Sequence, residues 1–257
     1  MPGLNARREQ GVGWIEFSNP AKHNALTYDM LIGLPEAVAR WERDPQVTVI
    51  ALRGDGEHFA SGIDVTEFFS RRGSSGASVN YDRAMLHVHR ALVGARKPTL
   101  ACVRGACFGA GLSAALFCDM RVSSDRAEFS QQVTKIGLAL SYVSTRRMVD
   151  LLGPATTADL LLTSRRLGAE QALAIGLVDR VMPDDVLESA FAALASEIGE
   201  GAPLSILAAK LSIRAACGDE QALREVQAAI DASHASEDYL EGRRAFAQKR
   251  KPQFRGR

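Results

Sequence analysis

The start of the chain holds two strand patterns with a helical pattern between them, and this order restricts the fold more than any other feature. Residues 12–17 and 47–53 are predicted strands, the second (VTVIALR) being rich in β-branched side chains. Thr27 is a predicted helix N-cap, and apolar residues follow it at helical spacing as far as about Arg43. Strand, helix and strand in succession indicate a layered α/β fold.

The rest of the chain divides into a mixed part and a helical part. Residues 71–80 (RRGSSGASVN) are polar and rich in glycine and serine, which predicts a mobile loop before a helix at 81–93. Buried strands are predicted at 99–103, after Lys97 and Pro98, and at 119–123. From residue 145 the pattern is mainly helical. We therefore expect a core at 1–195 and a helical oligomerisation region at 196–257.

Composition argues against two classes of partner. The formal net charge is +1, so charge alone gives no reason to expect a nucleic acid. No apolar run approaches the ~20 residues that cross a bilayer, and the polar residues 1–10 lack the apolar core of a signal peptide. We therefore expect a cytoplasmic protein without a membrane span.

Cysteine and histidine show no pattern of cross-linking or metal binding. None of the cysteines forms a Cys-x-x-Cys pair, and the histidines are scattered without metal-ligand spacing. We expect free, buried thiols in a reducing compartment and no metal site. The cysteines are Cys102, Cys107, Cys118 and Cys217.

A glycine-rich junction at residues 109–114 (GAGLSA) follows a predicted strand and opens a short helix. Glycines allow close backbone approach there, and a helix start leaves N–H groups unpaired. Four interpretations stay open. The junction is a dinucleotide fingerprint with Asp125 downstream, a nucleophile elbow on Ser113 without its usual G-x-S-x-G pattern, one half of an oxyanion hole, or a purely structural turn.

An oxyanion hole needs a second donor, and residues 59–65 (FASGIDV) offer one. Gly62 permits an unusual backbone turn, and the Asp64 carboxylate can fix that turn by accepting a backbone hydrogen bond. The same segment is also compatible with an ordinary loop after a strand.

Six motifs in a fixed order make the chain similar to the crotonase family, also called the enoyl-CoA hydratase/isomerases, over nearly its whole length. They are NPAKHNAL at 19–26, FASGIDV at 59–65, the block KP, VRG and GAG at 97–111, CD at 118–119, LAIGLVD at 173–179 and FAQKRKPQF at 246–254. The resemblance implies a spiral of ββα units with a helical C-terminal trimerisation region. It also implies a homotrimer or a dimer of trimers.

The resemblance further implies an acyl-CoA ligand whose thioester oxygen lies between the N–H groups of Ile63 and Ala110. Coenzyme A would arrive as part of that ligand, with no other cofactor required. Further ligand contacts are implied within the chain and, from a neighbouring subunit, at its C-terminal motif. They are Lys22, His23, Asn24, Ala25, Ser61, Gly62, Asp64 and Gly109, with Phe246 and Lys249 from the neighbour.

The chain departs from the family where proton transfer is expected. Ser113 and Val133 stand where hydratases of the family carry glutamates, and Ser141 stands where some isomerases carry an acid. Hydration needs one group to deprotonate water and another to protonate carbon. The sequence therefore predicts an acyl-CoA binder with weak or absent hydratase activity.

Two alternatives to a simple binder remain. The first is an active enzyme whose base is His89 or His87, which cannot both face a ligand because they are two residues apart on one helix; a dehalogenating relative uses a histidine from this region. Glu67 and Tyr142 are weaker candidates. The second is an NAD-binding protein that uses Gly109, Gly111 and Asp125.

Overall fold

The computed structural model describes residues 2–71 and 77–257. The strands are β1 (Gly3–Glu9), β2 (Val12–Ser18), β3 (Val49–Gly54), β4 (Thr99–Val103), β5 (Ala106–Phe108), β6 (Met120–Ser124), β7 (Glu128–Ser130), β8 (Leu167–Gly168) and β9 (Arg180–Met182). The helices are α1 (Tyr28–Arg43), α2 (Val65–Arg71), α3 (Ala77–Gly94), α4 (Ala110–Leu116), α5 (Tyr142–Thr163), α6 (Ala169–Ala174), α7 (Leu187–Gly199), α8 (Pro203–Ala216), α9 (Glu220–His234) and α10 (Glu237–Ala247).

Two sheets organise the described residues. The larger has the order β1-β2-β3-β4-β6-β9, parallel except for the antiparallel β1–β2 pair. The smaller has the order β5-β7-β8, with β5 and β7 parallel. Because parallel strands need crossover connections, helices cover the faces of the larger sheet. The α/β class expected from the opening strand–helix–strand pattern is confirmed.

Successive residues of the central strands enter different hydrophobic clusters. Ile50 and Leu52 of β3 pack in the main core with α1, whereas Val49 and Ala51 pack with Phe191 of α7. Side chains alternate across a pleated strand, so a strand buried on both faces reads as a continuous apolar run. This alternation explains the run VTVIALR.

Helix α1 begins where the sequence predicts. The Thr27 hydroxyl accepts a hydrogen bond from the Met30 N–H at 3.3 Å, which satisfies one of the free donors at the helix start. The buried residues of this helix repeat at helical spacing. They are Met30, Leu31, Leu34, Val38 and Trp41.

Several expectations need correction. The predicted loop at 71–80 falls largely on residues 72–76, which lie outside the described residues, and positions 77–80 belong to α3. Cys217 is exposed, unlike the other three thiols. The expected boundary after residue 195 lies within α7, which packs on the sheet, and the division into a core and an oligomerisation region stays a prediction.

The C-terminal region is helical, as expected. Helices α8 and α9 pack on each other through a cluster of their own that includes Leu207, Leu211 and Ala222. Within the described ranges, no helix combines the length and the apolar composition that crossing a bilayer requires. In the same part of the chain, no three His, Cys, Asp or Glu side chains form a group that could hold a metal ion.

Candidate functional site

Two backbone segments that are distant in sequence are hydrogen-bonded to each other beside α4. The Ala60 N–H donates to the Ala106 carbonyl at 3.0 Å, and the Phe108 N–H donates to the Ala60 carbonyl at 2.9 Å. These bonds form an isolated parallel bridge between Ala60 and Cys107. The turn after β3 is thereby fixed against β5 and the junction that leads into α4.

Glycines make this contact possible. A Cβ atom on Gly111 would lie 2.6 Å from both the Cβ and the carbonyl oxygen of Ala60, closer than real Cβ contacts allow. A Cβ atom on Gly109 would lie 3.6 Å from the Cα of Gly62. Gly62 and Gly109 also have positive φ angles of 121° and 50°, which favour glycine. The predicted juxtaposition of the two turns is therefore present.

The N–H group of Ile63 points away from the neighbouring backbone. The Leu26 N–H donates to the Gly62 carbonyl at 2.7 Å, and the Asp64 N–H donates to the Leu26 carbonyl at 2.8 Å. Because peptide groups alternate in direction along extended chain, the Ile63 N–H faces the other side. No residue that the structure describes accepts a hydrogen bond from it.

Ala110 is the first residue of α4, so its N–H has no partner within the helix. None of the described residues accepts from this N–H either. Ile63 and Ala110 border the same cavity of 460 Å³. We call this the central cavity; it is bounded by residues 61–63, α2, α3, the start of α4 and residues 131–144. Two N–H donors without an acceptor among the described residues therefore border one cavity.

Asp64 fixes the turn from the side opposite the cavity. Its carboxylate accepts from the N–H groups of Thr66 (3.1 Å) and Glu67 (3.3 Å) and pairs with the Lys22 ammonium at 2.7 Å. Burial alone would raise the pKa of Asp64, but the Lys22 ammonium and these N–H groups outweigh burial and hold the pKa below its ordinary value. Asp64 thus acts as an anionic cap of α2.

Residues 19–26 support the turn at residues 59–65 through polar groups that already have hydrogen-bond partners within the protein. The Asn24 side chain is buried, accepts from the Asn19 N–H at 2.9 Å and donates to the carbonyls of Asp55 and His58. The Ser61 hydroxyl donates to the Lys22 carbonyl at 2.9 Å. The Asn24 side chain therefore holds the turn in place, and its contact with a ligand stays a prediction.

The imidazole of His23, at the exposed end of this loop, faces that of His58 from the segment after β3. The rings of His23 and His58 lie 4.3 Å apart. Burial, followed by the neighbouring His23, lowers the pKa of His58, whose Nδ1 accepts from the Ala106 N–H at 3.2 Å. Ala25 is buried, and its carbonyl accepts from the Asn19 side chain. Of the predicted contacts in this loop, Lys22 and His23 remain accessible.

The two positions that depart from the family border the central cavity, as does Ser141. The Ser113 hydroxyl accepts a hydrogen bond from the Gln131 amide at 3.2 Å. Val133 opens a 3-10 turn and offers only hydrocarbon. The Ser141 hydroxyl is occupied as the N-cap of α5, accepting from the Ser144 N–H at 3.3 Å. None of these three side chains has the acidity or basicity that hydration requires.

Two polar residues of the cavity wall were not singled out from the sequence. Gln131 is buried, and its Oε1 atom has no hydrogen-bond partner among the described residues. Asp82 of α3 is the one carboxylate among the described residues that line the cavity, and partial burial raises its pKa. Both residues carry the polar character of an ordinary helix or loop surface, so only the tertiary structure identifies them.

The structure separates the two histidines of α3. His89 borders the central cavity with 3 % of its surface exposed, whereas His87 is exposed. The His89 imidazole stacks on the ring of Phe117 at 3.8 Å, and burial lowers its pKa to about 3. A base this weak has little driving force to remove a proton from carbon.

The remaining candidate residues, Glu67, Tyr142 and Asp125, are either hydrogen-bonded to other groups or exposed. The Glu67 carboxylate accepts from the Tyr28 N–H at 3.0 Å, and the Tyr142 side chain is 77 % exposed. The Asp125 carboxylate accepts from the Asp184 N–H at 3.1 Å, so the acid expected to bind a ribose is already occupied. The NAD interpretation therefore gains no support from the geometry.

Phe246 and Lys249 do not border the central cavity of their own chain. Phe246 is 87 % exposed at the end of α10, and Lys249 follows it with a positive φ of 52°. Both side chains are exposed, and their contact with a ligand of a neighbouring subunit stays a prediction.

Known proteins are similar in sequence to this chain over most of its length. The enoyl-CoA hydratase/isomerase family model matches residues 7–257. A 2,3-dehydroadipyl-CoA hydratase of Escherichia coli is 30 % identical over 259 residues that cover 100 % of both chains. A 4-chlorobenzoyl coenzyme A dehalogenase of an Arthrobacter species is 33 % identical over 200 residues, covering 76 % of this chain and 71 % of that protein.

The three-dimensional structure is also similar to that of a known protein. The crystal structure of an enoyl-CoA hydratase/carnithine racemase from Magnetospirillum magneticum superimposes with a TM-score of 0.91 at 32 % identity, covering 99 % of this chain and 96 % of that one. This agreement confirms the crotonase-type fold expected from the six motifs. The chain therefore belongs to the enoyl-CoA hydratase/isomerase family, also called the crotonase family.

Proposed function

We propose that the protein binds an acyl-CoA with the thioester oxygen between the N–H groups of Ile63 and Ala110. One observation carries this proposal: both N–H groups are without an acceptor among the described residues, and both border the central cavity. Two fixed donors suit an oxygen that carries partial negative charge. The names of two relatives, a hydratase and a dehalogenase of CoA thioesters, support this ligand class. Coenzyme A enters as part of the ligand, and no further cofactor is required.

The nucleotide end of the ligand would lie at the loop that carries Lys22 and His23. Lys22 is half-exposed beside Asp64, and His23 lies at the surface. Phe246 and Lys249 of a neighbouring subunit would complete this part of the site in a homotrimer or a dimer of trimers. The large apolar side chains exposed on the C-terminal helices support such an assembly. They are Ile213, Leu223, Leu240 and Phe246.

Hydratase activity would be weak or absent. Ser113 and Val133 leave the wall of the cavity without the two carboxyl groups that hydration uses. The thioester donors belong to the backbone and do not depend on these side chains. Binding and hydration are therefore separable in this chain.

A second candidate function is an active enzyme on another acyl-CoA. The raised pKa of Asp82 favours it, since a carboxyl group at the border of the cavity whose pKa is above its ordinary value is better suited to accept and return a proton. His89 is less suited because its pKa is about 3.

The decisive experiment removes one N–H without removing a side-chain contact. Ala110→Pro deletes this donor at the first helical position, where proline is tolerated. Loss of one hydrogen bond of about 0.5–1.5 kcal/mol should weaken butyryl-CoA binding at least about 2- to 10-fold in calorimetry, and the proline Cδ, which takes the place of the amide hydrogen, adds a steric clash with the oxygen. Glu220→Pro, at the exposed first position of α9, is the matched control and should leave the affinity unchanged.

The same protein should hydrate crotonyl-CoA far more slowly than the ~10 s⁻¹ of a typical enzyme. Hydration at that rate would contradict the proposed loss of activity while leaving the binding site intact. Equal affinities for Ala110→Pro and the unchanged protein would contradict the proposed oxygen position.

A further inference from the structure

His89 separates two cavities. Besides the central cavity there is a second one of 610 Å³ between α3, α8 and α9, which we call the distal cavity. Among the described residues, His89 is the one that borders both. Its imidazole is 3 % exposed and stacks on Phe117 with an angle of 13° between the rings. His89 therefore lies between the two spaces, backed by the ring of Phe117 on the distal side, and we call these two stacked rings the partition.

The distal cavity offers room for hydrocarbon. Leu86 and Val93 of α3 and Leu207 and Leu211 of α8 contribute apolar surface to it, while charged side chains, among them Arg90, Lys210 and Glu225, border the rest. Such surface is suited to an alkyl chain if the partition is removed, because buried apolar area favours association.

Helix α4 gives the distance from the thioester donors to the partition. Ala110 is its first residue and Phe117 is its C-cap, seven residues later. A rise of 1.5 Å per residue places them about 10 Å apart along the axis. Three bonds of an extended chain span about 3.8 Å, so 10 Å corresponds to about eight bonds. An acyl chain running along α4 would therefore meet the rings at about the eighth carbon.

We propose that the His89–Phe117 stack is the wall that limits acyl-chain length, so that the protein selects acyl groups of up to about eight carbons. This inference rests on the proposed function, since it needs a thioester at Ile63 and Ala110. The imidazole suits an apolar wall because burial keeps it neutral, and its Nε2 atom has no partner among the described residues that would tie it to either cavity. His89 is thus a specificity-determining residue, not a base.

The test is a calorimetric series of saturated acyl-CoAs from butyryl-CoA to dodecanoyl-CoA. Each methylene buried at about 0.8 kcal/mol strengthens binding about fourfold. For the unchanged protein, affinity should rise up to about octanoyl-CoA and then stop rising. For His89→Ala, which joins the cavities, it should keep rising through dodecanoyl-CoA. His89→Phe keeps a stacked ring and should follow the unchanged protein.

The outcomes distinguish the inference from the proposed function. If no acyl-CoA binds to the unchanged protein, the proposed function is wrong and the inference falls with it. If acyl-CoAs bind and the profiles of His89→Ala and the unchanged protein coincide, only the wall is refuted. The proposal can be tested even if His89→Ala does not fold. If the affinity of the unchanged protein rises steadily up to dodecanoyl-CoA, the proposal that the His89–Phe117 stack limits chain length is wrong.

Discussion

Replacing Gly111 by alanine should disturb the thioester site through packing alone. The new methyl group would lie 2.6 Å from the Cβ and the carbonyl oxygen of Ala60, whose backbone is hydrogen-bonded to β5. Neither partner can move without breaking the bonds at Ala106 and Phe108. Overpacking of this kind costs about 1–3 kcal/mol, which lowers the melting temperature by roughly 2–4 °C per kcal/mol in a chain of this size.

Gly111→Ala should also displace the Ile63 donor from the Ala110 donor. The loss of one aligned hydrogen bond predicts butyryl-CoA binding about 2- to 10-fold weaker in calorimetry. Gly94→Ala is the matched control: it is also a helical glycine, and a Cβ there meets nothing within 4 Å. The control should keep its affinity and its stability. Equal stability and affinity for Gly111→Ala and the unchanged protein would refute the argument that the two turns are held in contact.

Three further predictions concern stability in chemical denaturation. First, the pKa of His89 is lowered from 6.5 to about 3 in the folded protein, so only the unfolded chain takes up this proton as the pH falls below 6.5. The free energy of unfolding should therefore decline until the pH reaches about 3, with a loss of about 2 kcal/mol at pH 5. His89→Phe should not show this loss. Second, Asp64→Ala should cost about 1–2 kcal/mol at pH 7 because α2 loses its cap, whereas Asp64→Asn should retain most of that stability. Third, Arg121→Met should cost about 1–3 kcal/mol, since it leaves two buried carbonyls without a donor; the Asp179 carboxylate loses the guanidinium but keeps the backbone N–H of residue 121. Arg126→Met, at an exposed position, should cost under about 1 kcal/mol, and equal losses for the two arginines would contradict this argument.

Local sequence patterns predicted much of the fold and less of the site. The N-cap Thr27 and the apolar run of β3 depend on neighbouring residues and appeared where expected. Strand β1 was missed because it is a polar, mostly exposed edge strand, defined by its antiparallel pairing with β2 rather than by its own composition. The helix α3 also begins earlier than its apolar pattern suggests.

The candidate site depends on contacts that no local pattern encodes. The two turns around Gly62 and Gly109 were found through the resemblance to a family, and their contact is set by hydrogen bonds between residues more than forty positions apart. Gln131 and Asp82 carry no signal in the sequence because the cavity they line forms only when α3, α4 and residues 131–144 are assembled. The role of His89 as a partition could not be predicted, since it requires the shapes of two cavities.

The hydrogen bonds of Ala60 to β5 have an evolutionary consequence. They align the two N–H groups through main-chain atoms, so a codon change at position 113 or 133 alters the side chains of the cavity and leaves the proposed thioester donors in place. A lineage with this scaffold can gain, exchange or discard a reaction in single steps without first losing its ligand. In such a scaffold, catalytic side chains can be added to a protein that already binds the ligand. A descendant that binds the ligand without reacting with it is therefore as accessible by mutation as one with a new activity.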